Sequence, residues 1–292
     1  MNFKSLKKRK GIILAGGKGS RLYPLTQIVS KQLLPVYNKP MIFYSLSVLM
    51  LADIQEILII SDPKNLPLLK KFLGNGEQFG ISLSYAVQKK PKGIAEAFLI
   101  GARFIKNSPV ALILGDNIFF GHNFGRDLMN ISEKDNPSIF LYKVPDPERY
   151  GIAKVNQKGQ VLRIDEKPKN PQSNYAVTGL YFYDQEIVEM TKTLSYSKRG
   201  ELEISTINQL YLQKKHLHAH FLSRGFNWYD TGTFNSLNDA SNMIRLMEQR
   251  QNIRIGNPYE VAIRKKWITK KDIKKLSYEI IDSDFSYLMS LN

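Results

Sequence analysis

A loop rich in glycine follows an apolar run near the start of the chain. Residues 14–22 read Leu-Ala-Gly-Gly-Lys-Gly-Ser-Arg-Leu, so that three glycines and a lysine precede Arg21. Glycine lets the backbone approach a phosphate closely and turn its N–H groups toward the oxygens, and nearby cations neutralise the charge. The segment therefore predicts a phosphate-binding loop after a buried strand.

This loop matches neither of two common phosphate-binding patterns. G-x-x-x-x-G-K-[ST] fails because Gly19 follows Lys18, and G-x-G-x-x-G fails because Leu22 occupies the position of the last glycine. Neither a P-loop NTPase nor a dinucleotide-dependent oxidoreductase is supported. The sequence also lacks G-x-S-x-G and H-E-x-x-H, the commonest signatures of serine hydrolases and zinc proteases.

Two aspartates are further candidates for chemistry. Asp116 follows the apolar run 110–114, and Asp230 lies in the segment Trp-Tyr-Asp-Thr-Gly-Thr at 228–233. Either aspartate alone could equally well cap a strand end. Three histidines at 216, 218 and 220 alternate, but without a carboxylate at useful spacing they favour a half-exposed strand over a metal site.

The composition excludes several classes of protein. With 292 residues, 43% hydrophobic and 23% charged, the chain is typical of a globular protein with a sizeable core. The absence of cysteine excludes a disulfide framework and thiolate chemistry. The basic N-terminus runs into only five largely apolar residues, 11–15, and no stretch is long enough to span a bilayer. We therefore expect a cytoplasmic protein without a membrane partner.

The formal charge of +16 raises the question of nucleic-acid binding. The basic residues are scattered along the chain, and the dense run from Lys7 to Lys10 is more simply a solvated tail. We expect no nucleic-acid partner, and we attribute the charge to a lysine-rich surface and a basic pocket for phosphorylated substrates.

Apolar, β-branched runs alternate with amphipathic ones in the first half, which is typical of βα units around a mostly parallel sheet. The predicted strands are 11–14, 57–60, 83–87, 110–114 and 139–144, and the predicted helices are 41–52, 66–73 and 94–105. From Tyr150 the pattern changes, and 152–155 and 161–164 predict a hairpin laid over the sheet. An amphipathic run at 240–248 and a cap-like start at Thr269 predict a helical tail.

Several motifs together resemble the nucleotide-sugar pyrophosphorylase family. They are Ser30-Lys31-Gln32-Leu33-Leu34-Pro35, Leu114-Gly115-Asp116-Asn117, Glu166-Lys167-Pro168 and the segment 228–233, beside the glycine loop. The resemblance runs from about Lys10 to Lys270 without a large gap, which is far more specific than any single motif.

The resemblance implies a division of the chain. It implies an α/β fold of Rossmann-like architecture, with a doubly wound, mixed and mostly parallel sheet, an inserted β sugar-binding region and a helical C-terminal extension. A basic N-terminal tail covers residues 1–10, a nucleotidyltransferase domain covers 11–233, and the extension covers 234–292. Within the domain, the nucleotide-binding part is 11–149 and the sugar-binding part is 150–233.

The resemblance also implies a reaction. Transfer of dTMP from dTTP to α-D-glucose 1-phosphate would give dTDP-glucose and pyrophosphate, the first step toward dTDP-sugars such as dTDP-L-rhamnose. Mg²⁺ would be the cofactor, held by Asp116 and Asp230, because a hard cation prefers carboxylate, phosphate and water oxygens. Arg21, Lys31 and Lys167 would be catalytic, since fixed cations stabilise the charge of a phosphoryl group.

Further residues match the substrate-binding positions of the family. The residues implied for the nucleotide are Gly16, Gly17, Gly19, Ser20, Arg21, Lys31, Gln32, Gln88, Gly93 and Asp116. The residues implied for the sugar phosphate are Asn117, Tyr150, Gly151, Glu166, Lys167, Val177 and Gly179. Gln88 matches the glutamine whose amide pairs with the edge of a pyrimidine.

The sequence departs from the family at three positions. Lys18 replaces a hydroxyl residue of the glycine loop, Glu96 stands where a glutamine is expected, and Phe120 replaces a tyrosine. The resemblance suggests a homotetramer with a second, regulatory nucleotide site at a subunit interface, near Gly121-His122, Arg224 and Glu260.

Two alternative functions remain open at this point. One is the same chemistry with another base or sugar, such as transfer from UTP. The other is a catalytically silent regulatory subunit that binds sugar nucleotides. The second is weakened because Arg21, Lys31, Asp116, Lys167 and Asp230 are all present.

Overall fold

A nine-stranded mixed sheet forms the centre of the structure, a computed structural model that describes residues 8–17, 19–276, 280 and 282–291. The strands are β1 Lys10–Leu14, β2 Pro35–Val36, β3 Lys39–Pro40, β4 Glu56–Ser61, β5 Ser82–Val87, β6 Val110–Leu114, β7 Asn117–Phe120, β8 Ser138–Lys143, β9 Gly151–Val155, β10 Val161–Glu166, β11 Tyr175–Tyr183, β12 His218–Phe221 and β13 Asn227–Asp230. The main path through the sheet is β10-β9-β11-β6-β1-β4-β5, and β8 joins it by pairing with β11 and β12.

The half of the sheet built from the first strands is parallel. β1 pairs in parallel with β4 and with β6, and β4 pairs in parallel with β5. β1, β4 and β6 are buried on both faces because helices cover both sides, as parallel sheets require, whereas β5 at the edge is partly exposed. Ile12 packs into one core layer and its neighbour Ile13 into the other. The predicted Rossmann-like α/β architecture is confirmed.

The helices lie in two layers, one on each face of the sheet, and in a C-terminal extension. They are α1 Leu25–Ile28, α2 Met41–Leu51, α3 Leu66–Leu73, α4 Glu96–Ile100, α5 Ala102–Ile105, α6 Phe124–Ser132, α7 Ile187–Lys192, α8 Ile204–Gln213, α9 Phe234–Gln251, α10 Pro258–Arg264, α11 Lys270–Lys275 and α12 Asp282–Ser290. The helix predicted over 94–105 is interrupted at Gly101, which separates α4 from α5. Along the described part of the chain, no helix is long and apolar enough to cross a membrane.

The second half of the sheet is antiparallel around β11. This strand pairs antiparallel with β8 along one edge, and with β9 and then β6 along the other. The hairpin of β9 and β10 therefore extends the sheet at its edge. The prediction that it lies over the sheet was wrong, because β9 uses its backbone groups to pair with β11.

A small two-stranded sheet brings the later part of the chain to the end of β6. β13 pairs antiparallel with β7, and this register sets Asp230 opposite Asn117. Asp116 lies between β6 and β7. The topology thus places two aspartates that are far apart in sequence next to each other.

The helical extension is fastened to the first part of the chain. A capping box at Thr233 starts α9, and another at Thr269 starts α11 as predicted. Lys39 Nζ lies 2.8 Å from Glu248 Oε1, and both side chains are 4% exposed. The Glu248 carboxylate also accepts a hydrogen bond from the backbone N–H of Ile255.

The solvated tail predicted over residues 1–10 ends earlier than expected, and residues 1–7 lie outside the described residues. Lys10 already belongs to β1, and Arg9 is 6% exposed. The Arg9 guanidinium donates hydrogen bonds to the carbonyls of Val110, Tyr183 and Lys134, at 3.2, 2.8 and 2.7 Å. Burial lowers the pKa of Arg9 to about 10, against the opposing effect of Asp135 and Asp184. Arg9 was assigned to the tail wrongly because a run of charges does not reveal carbonyls that can bind one of them.

Candidate active site

A cavity of about 210 Å³ lies where β6, β10, β11 and β13 meet. It brings together ten of the residues singled out in the sequence. They are Arg21, Asp116, Asn117, Tyr150, Gly151, Glu166, Lys167, Val177, Gly179 and Asp230. Ligands of open α/β sheets bind at the carboxyl ends of the strands, and β6 ends here.

The glycine loop lies directly before Arg21 and does not itself line this cavity. Gly17 and Gly19 have positive φ values of 108° and 57°, which a side chain would strain. Thr26 Oγ1 holds the loop by donating to the carbonyl of Gly19 at 2.9 Å. Ser20 is exposed, and Lys18 lies outside the described residues.

Lys31 forms an ion pair with Asp116. Lys31 is buried in a short 3₁₀ turn, Lys31–Leu33, and Gln32 in the same turn is buried against Gly115. Burial acts to raise the pKa of Asp116, but the charge and hydrogen bond of Lys31 and the amide of Asn117 hold that pKa below its usual value. Asp116 is therefore held as a carboxylate facing the cavity.

Asp230 has the opposite electrostatic environment. Burial and the neighbouring Asp116 carboxylate raise its pKa, against the opposing charges of Lys31, Arg21 and Arg149. Arg149 Nη2 lies 3.8 Å from Asp230 Oδ2. Two carboxylates that repel each other at one cavity form a site that a divalent cation would relieve.

The residues present fit a magnesium ion better than a metal held mainly by protein. Among the described residues, no group of three or more His, Cys, Asp or Glu side chains could hold a metal. Mg²⁺ is commonly bound through one or two carboxylates, with substrate phosphates and water completing its shell. Asp116 and Asp230 match that donor set.

Both ends of the Asn117 side-chain amide form hydrogen bonds within the protein. Its Nδ2 donates to Asp116 Oδ1 at 2.9 Å. Its Oδ1 accepts from Gly179 N at 3.1 Å and from Trp228 Nε1 at 2.7 Å. A Cβ on Gly179 would lie 2.5 Å from that oxygen, so only glycine lets β11 approach so closely. The amide thus orients Asp116, and its predicted contact with the sugar phosphate stays a prediction.

Glu166 and Lys167 stand at the end of β10. Lys167 has a positive φ of 42°, and its backbone N–H donates to the carbonyl of Tyr150 at 3.0 Å. A side chain in this conformation costs energy and is found most often at functional sites. Burial, with a contribution from Glu203, raises the pKa of Glu166. Arg199 partly offsets this, with Nη1 3.5 Å from Glu166 Oε1.

The two predicted base-binding residues have different neighbours, and only Gln88 lies beside the glycine loop. Gln88 follows β5 and is 5% exposed, and its Oε1 would be 2.8 Å from a Cβ on Gly16. Its Nε2 donates to Glu96 at 2.8 Å. Gly93 has φ 101° and lies against the backbone of Leu202, where a Cβ would be 2.3 Å from the carbonyl oxygen. Neither Gln88 nor Gly93 lines the cavity that holds the two aspartates.

Several residues that line the cavity were not chosen as site residues. They are Arg149, Ser205, Asn208 and Trp228, among others. Arg149 directly precedes Tyr150 and Gly151, two positions that match the family, so its place in the sequence was a usable signal. Ser205 and Asn208 are polar residues on the buried face of α8, and that polar pair three residues apart was the available signal.

The segments associated with a regulatory site are only partly brought together. Gly121 and Glu260 line a separate cavity of about 500 Å³, together with Phe120, Arg254 and Arg264. His122 lines a different cavity, beside β12. Arg224 is exposed and lines neither of these two cavities.

The fold is that of a nucleotidyl transferase. The sequence model of the family described as "Nucleotidyl transferase" matches residues 10–246, and the chain belongs to that family.

Among similar curated proteins, the glucose-1-phosphate thymidylyltransferase of Xanthomonas campestris pv. campestris is 49% identical over 286 residues, covering 97% of each chain. The enzyme of the same name from Neisseria gonorrhoeae is 51% identical over 266 residues, covering 91% of this chain and 92% of its own.

Solved structures agree in fold. A Bacillus anthracis protein assigned as a glucose-1-phosphate thymidylyltransferase, in complex with sucrose, superposes with a TM-score of 0.75 at 42% identity, over 81% of this chain and 95% of that one. A UDP-glucose pyrophosphorylase complexed with UDP-glucose gives a TM-score of 0.72 at 25% identity, over 82% of this chain and 99% of that one.

Proposed function

We propose that this chain transfers dTMP from dTTP to α-D-glucose 1-phosphate, forming dTDP-glucose and pyrophosphate. The observation that carries the proposal is the single cavity lined by Arg21, Asp116, Lys167 and Asp230. Relatives of nearly full length that bear the name of this activity support it. The reaction would supply dTDP-sugar synthesis, such as that of dTDP-L-rhamnose, in the cytoplasm.

The chemistry required is a displacement between two anions. An oxygen of the sugar phosphate attacks the α-phosphorus of dTTP, the bond to the β-phosphate breaks, and pyrophosphate leaves. The two reactants repel each other in water, so binding them in one oriented pair supplies much of the rate enhancement. No covalent enzyme intermediate is required.

Each cation of the site then has a role. Lys167 would hold the phosphate of the sugar substrate through a charge-assisted contact. Arg21 would lie on the departing pyrophosphate, at the end of the glycine loop formed by Gly16, Gly17, Gly19 and Ser20. Lys31 would add positive charge beside Asp116, with which it is already paired. Such fixed charges need no reorganisation as the transition state forms.

Mg²⁺ is the cofactor that we propose, with Asp116 and Asp230 as its ligands. Bound there, it would neutralise phosphate charge during the displacement. The Asp116 carboxylate is prepared for it, because Lys31 and Asn117 keep this side chain ionised and oriented. Asp230 is the ligand that gains most from a cation, since burial and Asp116 disfavour its charge.

The remaining site residues divide between the two substrates. Gln88 and Gly93 would contact the base, and Gln32 would lie behind the triphosphate. Tyr150, Gly151, Glu166, Val177 and Gly179 would surround the glucose, with Asn117 holding Asp116 beside it. Carboxylate and backbone groups suit sugar hydroxyls because they accept and donate hydrogen bonds.

We also propose a homotetramer with a second nucleotide site at a subunit interface. The cavity that contains Gly121 and Glu260 also presents Arg254, Arg264 and Lys265, which suit an anion. Within the described residues, Glu260 Oε2 is buried and has no hydrogen-bond partner. Inhibition by a dTDP-sugar that Glu260→Gln removes, with turnover unchanged, would support this site.

The experiment that tests the function measures pyrophosphate release over a matrix of triphosphates and sugar phosphates. We expect glucose 1-phosphate to be preferred and kcat/KM to rank dTTP first, UTP within a few hundredfold, and CTP well below both. A methyl group discriminates by only about 1–3 kcal/mol, and an added hydroxyl is rarely rejected strongly. Preference for another triphosphate and sugar phosphate would establish the same chemistry with other substrates. If no combination releases pyrophosphate, the regulatory subunit that binds sugar nucleotides becomes the favoured function.

A further inference from the structure

Glu96 touches the amide that would face the base. It is the first residue of α4, and its Oε2 accepts hydrogen bonds from Gln88 Nε2 at 2.8 Å and from the backbone N–H of Lys92 at 3.4 Å. Gln88 is buried and Glu96 is half-buried, so this contact is partly shielded from water. The predicted family residue at position 96 is a glutamine, so the carboxylate is a property of this chain.

A carboxylate fixes the direction of the neighbouring amide. Its oxygens only accept hydrogen bonds, whereas an amide has one accepting and one donating end. Gln88 must therefore turn Nε2 toward Glu96, which leaves Oε1 above Gly16 in the glycine loop. Among the described residues, the hydrogen bond to Glu96 occupies only the Nε2 end of the Gln88 amide, and no donor pairs with Oε1.

We propose that Glu96 is a positioning residue that holds the Gln88 amide in the orientation suited to thymine and uracil, and so excludes cytosine. The inference rests on the proposed function, in which Gln88 faces the base. Thymine and uracil offer an N3–H donor beside carbonyl oxygens, which match Oε1 and the second hydrogen of Nε2. Cytosine offers the reverse, an accepting N3 beside a donating amino group.

Accepting cytosine would require Gln88 to rotate by a half turn. Oε1 would then face the Glu96 carboxylate at the place where Nε2 now lies at 2.8 Å, and two acceptors at that distance repel. A glutamine at position 96 could rotate its own amide and satisfy either orientation of Gln88. Glutamate at position 96 therefore discriminates against cytosine more strongly than a glutamine at that position would.

The test compares Glu96→Gln with the unaltered chain, with kcat/KM measured for dTTP, UTP and CTP at saturating glucose 1-phosphate. We expect the ratio of dTTP to CTP to fall on the order of tenfold, while the ratio of dTTP to UTP stays within about twofold because both bases present the same edge. CTP is also measured as a competitor of dTTP, so that a ratio is obtained even when its turnover is slow. Glu133→Gln, at the exposed position directly after α6, removes the same charge elsewhere and should change neither ratio.

Two controls separate positioning from a merely structural role. A structural defect would lower kcat/KM for all three triphosphates together, and this result would overturn the inference. In a Gln88→Ala background, Glu96→Gln should no longer change the ratio of dTTP to CTP, because the effect acts through the Gln88 amide. If the unaltered chain turns over dTTP and Glu96→Gln leaves the ratio of dTTP to CTP unchanged, the positioning role is refuted. If the unaltered chain does not turn over dTTP, the proposed function is refuted instead.

Discussion

Lys167 carries the recognition of the sugar phosphate at the scale of a single residue. Its backbone is held at a positive φ by the hydrogen bond to Tyr150, and its side chain lines the cavity. We expect Lys167→Ala to raise KM for glucose 1-phosphate on the order of tenfold or more and to change KM for dTTP much less, because one charge-assisted contact is lost. Lys169→Ala, two residues away and exposed, is the matched control. Equal effects on both substrates would mean that Lys167 does not hold the sugar phosphate.

The Asp230 side chain is expected to support activity while lowering the stability of the metal-free protein. Asp230→Asn should lower kcat on the order of a hundredfold or more, because a ligand of the proposed metal is lost. Asp239→Asn, on the exposed face of α9, serves as the control and should keep normal turnover. Near-normal kcat of Asp230→Asn at low Mg²⁺ would remove Asp230 from the metal site.

The same substitution should stabilise the metal-free protein at neutral pH. The pKa of Asp230 is raised in the folded state, so its carboxylate opposes folding above that pKa, and the protonated acid does not. The gain in Tm of Asp230→Asn, roughly 2 °C for each kcal/mol, should therefore be present at pH 7 and shrink as the pH falls through the raised pKa toward 3.8. Thermal unfolding in EDTA across this range measures it. A gain that grows as the pH falls would contradict the assigned environment.

The sequence predicted the site residues best where they lie in continuous motifs. Glu166-Lys167 and Asp116-Asn117 each come to the cavity as neighbours, since a strand end carries both. Ser205 and Asn208 could not be predicted in the same way, because their role depends on which face of α8 packs over β10. The prediction that Arg9 belongs to the solvated tail was wrong for a related reason. The carbonyls that bind its guanidinium come from β6, β11 and the segment after α6, and they meet only after folding.

Gly93 joins two segments at the scale of the elements. The backbone N–H of Leu202 donates to the carbonyl of Lys92 at 2.7 Å, and that of Ala95 donates to the carbonyl of Leu202 at 3.2 Å. Gly93 lies between these bonds with φ 101° and with no room for a Cβ. The loop of the predicted base site is thus fastened to the segment that precedes α8.

We expect Gly93→Ala to lower the free energy of unfolding by more than 2 kcal/mol and to raise KM for dTTP, because both conformation and space are violated. Gly225→Ala is the matched control, since Gly225 also has a positive φ, 83°, but nothing within 4 Å of its would-be Cβ. It should cost only about 1 kcal/mol. Urea unfolding and dTTP kinetics of both variants test this expectation. Equal losses in the free energy of unfolding would show that crowding against Leu202 has no effect.

The elements themselves were predicted well where periodicity was strong. The five buried strands and the helices over 41–52 and 66–73 are present, with bounds that agree or differ by one residue. The place of the β9 and β10 hairpin was not predictable, because alternation shows that a strand has two different faces but does not show which edge it pairs with.

At the scale of the whole molecule, the buried pair of Lys39 and Glu248 joins the extension to the strands. Glu248→Gln should reduce the free energy of unfolding by about 3–5 kcal/mol, because it leaves a buried lysine without its counter-charge. Replacing both partners by methionine should recover most of that loss, since a buried ion pair is often no better than apolar packing. Guanidinium unfolding of the single and double variants measures this. If Glu248→Gln unfolds like the unaltered chain, the extension is not held by this pair.

The central claim is that the nucleotidyl group of dTTP moves intact to the sugar phosphate. The most direct measurement follows dTTP labelled with ³²P at the α-phosphate, incubated with glucose 1-phosphate, Mg²⁺ and the unaltered chain, with products separated by chromatography. The account predicts that the label appears in dTDP-glucose, while a label at the γ-phosphate appears in pyrophosphate. Label that remains in dTTP, or that is released as dTMP without joining the sugar, would contradict it.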